Sequence, residues 1–198
     1  MRAVEDTIQA IAEVHRRYNG LIVALALDVN SANDILRENP SQFNRRQAVR
    51  TSFAYIEAGI YSLKQITLVV HDTFGATFTD AELALLAEQS FELNEAGKAK
   101  TQVKFLKLAS NLRFAFSCYA RAFDCNYTLN VTDGDWNCFL NLINIRNRLT
   151  HPKILSDIDV SDDDLKNITK AFNWYQKSLT GLIDETILKF ATILRSPK

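Results

Sequence analysis

The residue types best suited to chemistry occur together in one short segment, residues 144–153. It contains Arg146 and His151, and His151 is the only one of the three histidines with an arginine five positions upstream. An imidazole can take up or release a proton near neutral pH, and a guanidinium is a permanent cation whose planar fork matches phosphate oxygens. The pair therefore suggests phosphodiester cleavage.

The spacing matters because the segment falls at the end of a predicted helix. Arg146 and His151 lie about 140° apart around an ideal helix, whereas Asn147 and His151 are neighbours on one face. Asn147 could therefore orient the imidazole. Arg146 reaches the same phosphate only if the helix breaks near His151, as Pro152 favours, or if two such helices meet across an interface.

The elements that must position this segment are all predicted to be helical. Only six glycines and three prolines occur, and apolar residues recur at three- and four-residue steps. We predict a first helix from Arg2 to Arg37, with a bend allowed near Gly20. The next helices are predicted with these bounds: from a cap at Ser41 to Gly75, and from a capping box at Thr79 and Glu82 to about Leu93.

Three further helices complete the prediction. Their bounds are from about Thr101 to Phe123, from a cap at Thr132 or Asp133 to Pro152, and from a cap at Ser161 and Asp164 through Leu182. The sequence thus predicts a single all-α domain over residues 1–198, a helical bundle of about six helices. Residues 1–39 would form an N-terminal helical extension to a bundle over residues 41–195.

Composition limits the function classes. The 198 residues are 47% hydrophobic, enough for a compact core. Basic and acidic residues both number 23, so any RNA contact must depend on a local patch rather than on net charge. The chain has three cysteines and no C-x-x-C pair, which predicts reduced thiols in a cytoplasmic protein. Acidic residues near the N-terminus are atypical of a signal peptide, and the apolar stretch at residues 21–27 is short. No membrane span is expected.

The segment also resembles the signature of the HEPN (higher eukaryotes and prokaryotes nucleotide-binding) superfamily. That signature is an Arg, a polar residue that is often Asn, and a His four to six positions after the Arg. Arg146, Asn147 and His151 match it in type and spacing, and they follow a helix that contains Trp136. The resemblance implies an up-and-down helical core and a metal-independent endoribonuclease without cofactors. Its two motifs would meet at a homodimer or intramolecular dimer interface.

The resemblance also implies roles for the matched residues. His151 would act as general acid or base in attack of the ribose 2′-OH on the adjacent phosphate, leaving a 2′,3′-cyclic phosphate and a 5′-OH. Arg146 would stabilise charge in the transition state, and Asn147 would position His151 or the scissile phosphate. Such ribonucleases often act in host defence or toxin–antitoxin systems, which makes an antitoxin or sensor protein a candidate partner. The toxin branch that is neutralised by nucleotidyl transfer carries a Tyr where this chain has Lys153.

Each candidate residue also has an ordinary structural interpretation. Arg146 and His151 could simply stabilise a helix end through its dipole. Arg148 and Lys153 are candidates for flanking phosphate contacts but could be solvated charges, and Glu57 could support the site or point to solvent. These interpretations favour an alternative function: a catalytically silent HEPN-like module that binds a partner protein or nucleotide.

Overall fold

The computed structural model describes residues 2–74 and 76–195, and this part of the chain is predominantly helical. Helices account for 74% of the structure, with six α-helices and one two-stranded sheet among the described residues. The elements are α1 (Arg2–Glu38), α2 (Gln42–Phe74), α3 (Asp80–Leu86), β1 (Gln89–Leu93), β2 (Ala99–Val103), α4 (Leu108–Ala122), α5 (Gly134–Thr150) and α6 (Asp162–Arg195). The predicted all-α class, with about six helices, is confirmed.

The chain divides into two compact units. The hairpin unit contains Ile60–Thr128, the part of α1 through Arg17 and the part of α6 from Glu185. The motif unit contains Tyr18–Gly59 and Leu129–Asp184, and it includes the candidate site. These units do not follow the division into an extension over 1–39 and a bundle over 41–195. The single domain and the HEPN-like core therefore stay predictions.

The starts of the long helices follow the predicted caps. Ser41 Oγ accepts the amide three residues later at 3.3 Å, and Asp133 Oδ1 accepts the amide of Trp136 at 2.9 Å. Ser161 and Asp164 each accept the other's backbone amide, at 3.1 and 2.8 Å. These side chains satisfy first-turn amides that have no partner within the helix. α1 continues through Gly20 without interruption, whereas Gly75, the predicted end of α2, lies outside the described residues.

Aromatic side chains form the core of the motif unit. The ring of Trp174 in α6 lies 5.2 Å from that of Phe139 in α5, measured between centroids. Tyr175 meets Tyr55 of α2 edge-on at 6.2 Å, and its hydroxyl donates to the carbonyl of Ile56 over 3.4 Å. α6 therefore packs against both α2 and α5, which fixes the helix that carries the motif.

Two helix predictions between residues 79 and 107 are wrong. The capping box at Thr79 and Glu82 is present, but α3 ends at Leu86 rather than near Leu93. The helix predicted from Thr101 begins only at Leu108. The intervening residues form an antiparallel hairpin in which β1 pairs with β2.

None of the helices in the described part of the chain is long and apolar enough to cross a membrane.

The hairpin has a local cause in the sequence. Polar and apolar residues alternate along residues 90–93, which is the period of a strand, and the apolar residues Ala99 and Val103 share a face of the partner strand. Gly97 has φ +69° in the turn, a conformation that glycine adopts without a steric penalty. The residue before β1, Glu88, also has a positive φ of 55° and ends the run of helical backbone after α3.

Buried Lys64 of α2 ties the base of the hairpin to two helices. Its Nζ donates to Glu88 Oε1 at 2.9 Å and to Asn111 Oδ1 of α4 at 3.3 Å. Burial lowers the pKa of Lys64, and the hydrogen bond to Glu88 opposes that effect. The carbonyl of Glu88 in turn accepts the amide of Lys104 at 2.7 Å, so both ends of the hairpin meet at this ion pair.

We expect Glu82→Gln to reduce the loss of unfolding free energy that occurs at low pH. Hydrogen bonds from Arg121 and from the Thr79 amide lower the pKa of Glu82 from its ordinary value of 4.5 to about 2. A carboxyl with a depressed folded-state pKa stabilises the fold above its unfolded pKa, and this contribution is lost as the pH falls from 4.5 toward 2. As the pH is lowered across this range, the urea midpoint of unfolding should fall less in the variant than in the wild-type protein. An equal fall of the urea midpoint in both proteins would contradict the low pKa of Glu82.

Candidate functional site

The helix that carries the motif ends where the sequence predicts. α5 runs from Gly134 to Thr150, and His151 is its C-cap residue with φ −128° and ψ 58°. The amide of His151 donates to the carbonyl of Asn147 at 3.0 Å. Pro152 disfavours helical geometry at the preceding residue, which explains the break. The imidazole is therefore attached to a defined helix end.

Arg146 is the centre of a small polar cluster on α2 and α5. Its Nη2 donates to Glu57 Oε1 at 3.0 Å, and its Nη1 donates to Asn147 Oδ1 at 3.4 Å. The guanidinium carbon also lies 5.8 Å from the centroid of the Phe53 ring. The structure thus brings together three residues that the sequence proposed for one site, Arg146, Asn147 and Glu57.

The cluster is open enough to meet a ligand. The side chains of Arg146 and Glu57 are 37% and 44% exposed, so Glu57 contacts Arg146 and also meets solvent. An ion pair at this exposure contributes less than about 1 kcal/mol. A guanidinium has five N–H donors, so Arg146 can hold Glu57 and still present donors to a phosphate oxygen.

His151 is exposed, and its imidazole has no hydrogen-bond partner within the described part of the chain. Its link to Asn147 is through the backbone, while the side-chain oxygen of Asn147 accepts from Arg146. The prediction that Asn147 orients the imidazole therefore stays a prediction. A solvent-facing imidazole at a helix end is able to exchange protons with a bound substrate.

Arg148 has a structural role that the sequence analysis missed. Its Nη1 donates to the carbonyl oxygens of Asp157, at 2.9 Å, and Asp159, and its Nη2 donates to Asp164 Oδ2 at 2.7 Å. Arg148 therefore connects the motif helix to the loop after His151 and to the first turn of α6. The carboxylate of Asp164 was a signal for this contact, whereas the two backbone carbonyls carry no signal in the sequence. A role of Arg148 in phosphate binding stays a prediction.

Lys153 lies in a turn organised by Asp157. One carboxylate oxygen of Asp157 accepts the amides of Lys153 at 2.7 Å and Ile154 at 3.1 Å, and these two bonds lower the pKa of Asp157. The backbone two residues after His151 is thereby held in place. Lys153 itself is exposed, and its predicted contact with a flanking phosphate is untested.

The hairpin unit contains an open groove of about 490 Å³. Its lining residues are Leu68, His71, Asp80, Leu83, Ala84, Ala87, Gln89 and Phe91. The groove could not be anticipated from the sequence, because the capping box at Thr79 predicts a helix that includes Gln89 and Phe91. Among the described residues, no group of three His, Cys, Asp or Glu side chains could hold a metal ion.

Comparison with known proteins finds no matching family model, no similar curated protein and no similar solved structure. The all-α class is shown by the structure itself, and a functional assignment depends on the residues of the motif unit.

Proposed function

We propose that this protein is a metal-independent endoribonuclease of the HEPN type. The observation that carries the proposal is the geometry of α5, which places Arg146 beside Asn147 and Glu57 and then ends at an exposed His151. A cation and an imidazole are the minimum set of groups for cleavage of RNA by its own 2′-OH.

The reaction is an internal transfer at phosphorus. A general base takes the proton of the 2′-OH, the 2′ oxygen attacks the adjacent phosphorus, and the bond to the 5′ oxygen breaks as that oxygen receives a proton. His151 supplies one of these proton transfers. Arg146 stabilises the charge that develops on the equatorial oxygens. The products are a 2′,3′-cyclic phosphate and a 5′-OH.

A homodimer would complete the site. Arg146 lies inside α5 and bonds to Glu57 and Asn147, whereas His151 lies at the helix end, so one motif supplies a single imidazole where the reaction needs both a base and an acid. Two motifs that face each other across a twofold axis would supply two imidazoles, one as base and one as acid. In this proposal the enzyme works in the cytoplasm, in host defence or a toxin–antitoxin system, and an antitoxin or sensor protein controls it. Lys153, in place of Tyr, argues against control by nucleotidyl transfer.

The test is cleavage of labelled total RNA and tRNA by the purified protein in EDTA. We expect fragments whose 5′-OH ends accept phosphate from polynucleotide kinase. Their 3′ ends should resist phosphatase until acid opens the cyclic phosphate. Fragments with 5′-phosphate ends, cleavage that EDTA abolishes, or intact RNA would contradict the proposal.

One observation favours a second candidate, a catalytically silent module that binds a partner protein or nucleotide. Arg146 and Arg148 already have carboxylate partners in Glu57 and Asp164, so neither cation needs a phosphate to be satisfied. This candidate predicts RNA binding without turnover, or no RNA interaction. Monomeric behaviour in light scattering would contradict the enzyme, because a strict monomer with one motif cannot form the paired site.

A further inference from the structure

We infer that Asp157 and Arg148 are positioning residues for His151, which fix the backbone that carries the imidazole and so direct it at the substrate. The choice of RNA as that substrate rests on the proposed function. The bonds that hold His151 all lie within the motif unit, and they can be tested without RNA.

His151 lies at the start of an exposed loop. All residues from 151 to 156 are exposed, and the large apolar side chains among them, Ile154 and Leu155, are 65% and 79% exposed. Core packing therefore cannot hold this part of the chain, and a loop with few buried contacts moves easily unless hydrogen bonds restrain it. Because the imidazole has no hydrogen-bond partner within the described residues, its direction depends on how firmly the backbone of His151 is held.

The backbone of His151 is restrained on both sides. On the helix side, its amide donates to the last turn of α5 at 3.0 Å. On the loop side, one carboxylate oxygen of Asp157 accepts the amide of Lys153 at 2.7 Å and that of Ile154 at 3.1 Å. Hydrogen bonds to an ionised acceptor are roughly twice as strong as neutral ones. The ring of Pro152 fixes φ between the two anchors, so few backbone rotations remain free there.

Asp157 is itself held by the motif helix. Arg148 Nη1 donates to the carbonyl oxygens of Asp157, at 2.9 Å, and of Asp159, and its Nη2 donates to Asp164 Oδ2 at 2.7 Å. Arg148 precedes His151 by three residues, so the same end of α5 carries the imidazole and the anchor of its loop. Through its carbonyl and its carboxylate, Asp157 connects this anchor to the residues that follow His151.

The far end of the loop is fixed to α2. Arg46 Nη1 donates to the carbonyl of Ile158 at 3.1 Å. Gln42 exchanges two bonds with buried Val160, whose carbonyl accepts from Nε2 at 3.1 Å and whose amide donates to Oε1 at 2.9 Å. These bonds hold the loop where it approaches α6, so the carboxylate of Asp157 projects from a fixed base.

Arg148 fits this role better than a contact with the substrate. Three oxygens of the chain itself already accept from its guanidinium, and its side chain is only 27% exposed. Two of these acceptors are backbone carbonyls, which a phosphate would have to displace. The two roles have different kinetic signatures, because loss of a substrate contact raises KM, whereas loss of a positioning bond lowers kcat.

The experiment first measures backbone order by ¹⁵N relaxation of the free protein. The order parameters of the His151 and Lys153 amides should be about 0.85 in the wild-type protein and below about 0.6 in Asp157→Ala, the range of a flexible backbone. Asp157→Asn keeps an acceptor oxygen and should restore most of the order. Asp163→Ala is the matched control, because it removes an equal charge from an exposed carboxylate that pairs with Lys166, and it should match the wild-type protein.

The same proteins are then compared in cleavage of one labelled tRNA in EDTA. Asp157→Ala should lower kcat by about 10- to 100-fold, because a small displacement of a reacting group has a cost of this order. KM should change by less than about 3-fold. Asp157→Asn should recover part of the loss, and Asp163→Ala should cleave like the wild-type protein. Arg148→Lys keeps the charge but not the planar fork, so it should lower kcat in the same way.

Four results would overturn the inference: unchanged order of His151 in Asp157→Ala, loss of order with an unchanged kcat, a raised KM with an unchanged kcat, or an equal loss in Asp163→Ala. Circular dichroism should show an intact fold in each variant. The outcome is separable from the proposed function. Wild-type cleavage with unchanged order and kcat in Asp157→Ala removes only this inference. Loss of order in Asp157→Ala, in a wild-type protein that cleaves no RNA, removes the ribonuclease and supports the positioning of His151.

Discussion

Arg146→Ala is expected to lower kcat for RNA cleavage by about 10²- to 10³-fold, the usual cost of removing one transition-state donor. The side chain is partly exposed and its ion pair with Glu57 is weak, so the loss should appear in the rate rather than in the fold. Arg146→Lys should recover only part of the activity. An ammonium is a point charge without the planar fork that can hold a carboxylate and a phosphate together.

Glu57→Gln is the matched control for this prediction. The amide oxygen can still accept from Arg146, whereas the negative charge near the phosphate is removed, so activity should change by less than about 5-fold. Initial rates on one labelled tRNA, with urea unfolding of each variant, measure both effects. Wild-type activity in Arg146→Ala would remove the guanidinium from the mechanism. An equal loss in Glu57→Gln would assign the effect to the carboxylate instead.

Gly59→Ala is expected to destabilise the protein by about 1–3 kcal/mol, the cost of overpacking a filled core. A Cβ at this position of α2 would overlap the hydroxyl oxygen of Tyr175 and lie 3.3 Å from its Cζ. Tyr175 is fully buried, so its ring has no free space to move into. The substitution would otherwise stabilise a helix interior by about 1 kcal/mol, so a net loss can be attributed to the overlap.

Two variants isolate that overlap. Gly20→Ala places the same methyl group in α1 with no other atom within 4 Å, and it should be neutral or stabilising. Tyr175→Phe removes the overlapping oxygen, so the double variant with Gly59→Ala should be more stable than Gly59→Ala alone. Urea unfolding of the four proteins in the cycle gives the coupling free energy. Additive effects, or a Gly59→Ala protein as stable as Gly20→Ala, would contradict the packing described for α2 and α6.

The helical class and the caps were predictable because their signals are local. Ser41, Asp133 and Ser161 are short polar side chains that precede apolar periodic runs, and each accepts a first-turn amide in the structure. Pro152 likewise ends α5 through contacts within a few residues. Signals of this kind do not depend on which parts of the chain meet later.

The hairpin was missed because two local signals conflicted. The capping box at Thr79 correctly begins a helix, but it carries no information about where that helix ends. Residues 101–107 precede α4 directly, and Phe105 continues its apolar steps closely enough to resemble about two more turns of the same helix. Alternation over only residues 90–93, with Gly97 in the turn, was the weaker pattern.

The contacts of the candidate site depend on tertiary structure. Spacing in the motif identified Arg146, Asn147 and His151, but Glu57 lies 89 residues from Arg146 in the chain and only packing of α2 beside α5 brings them together. The bonds of Arg148 to the 157–164 segment are of the same kind. Sequence spacing could therefore nominate these residues, whereas their partners had to come from the fold.

We propose that His151 performs proton transfer in RNA cleavage. The most direct measurement is the rate of tRNA cleavage in EDTA by wild-type protein and by His151→Ala, after circular dichroism confirms that both are folded. Loss of a general acid or base should lower the rate by about 10²- to 10⁴-fold. The exposed imidazole has no hydrogen-bond partner among the described residues, so the fold should not change. Cleavage by the variant at the wild-type rate would exclude His151 from the mechanism.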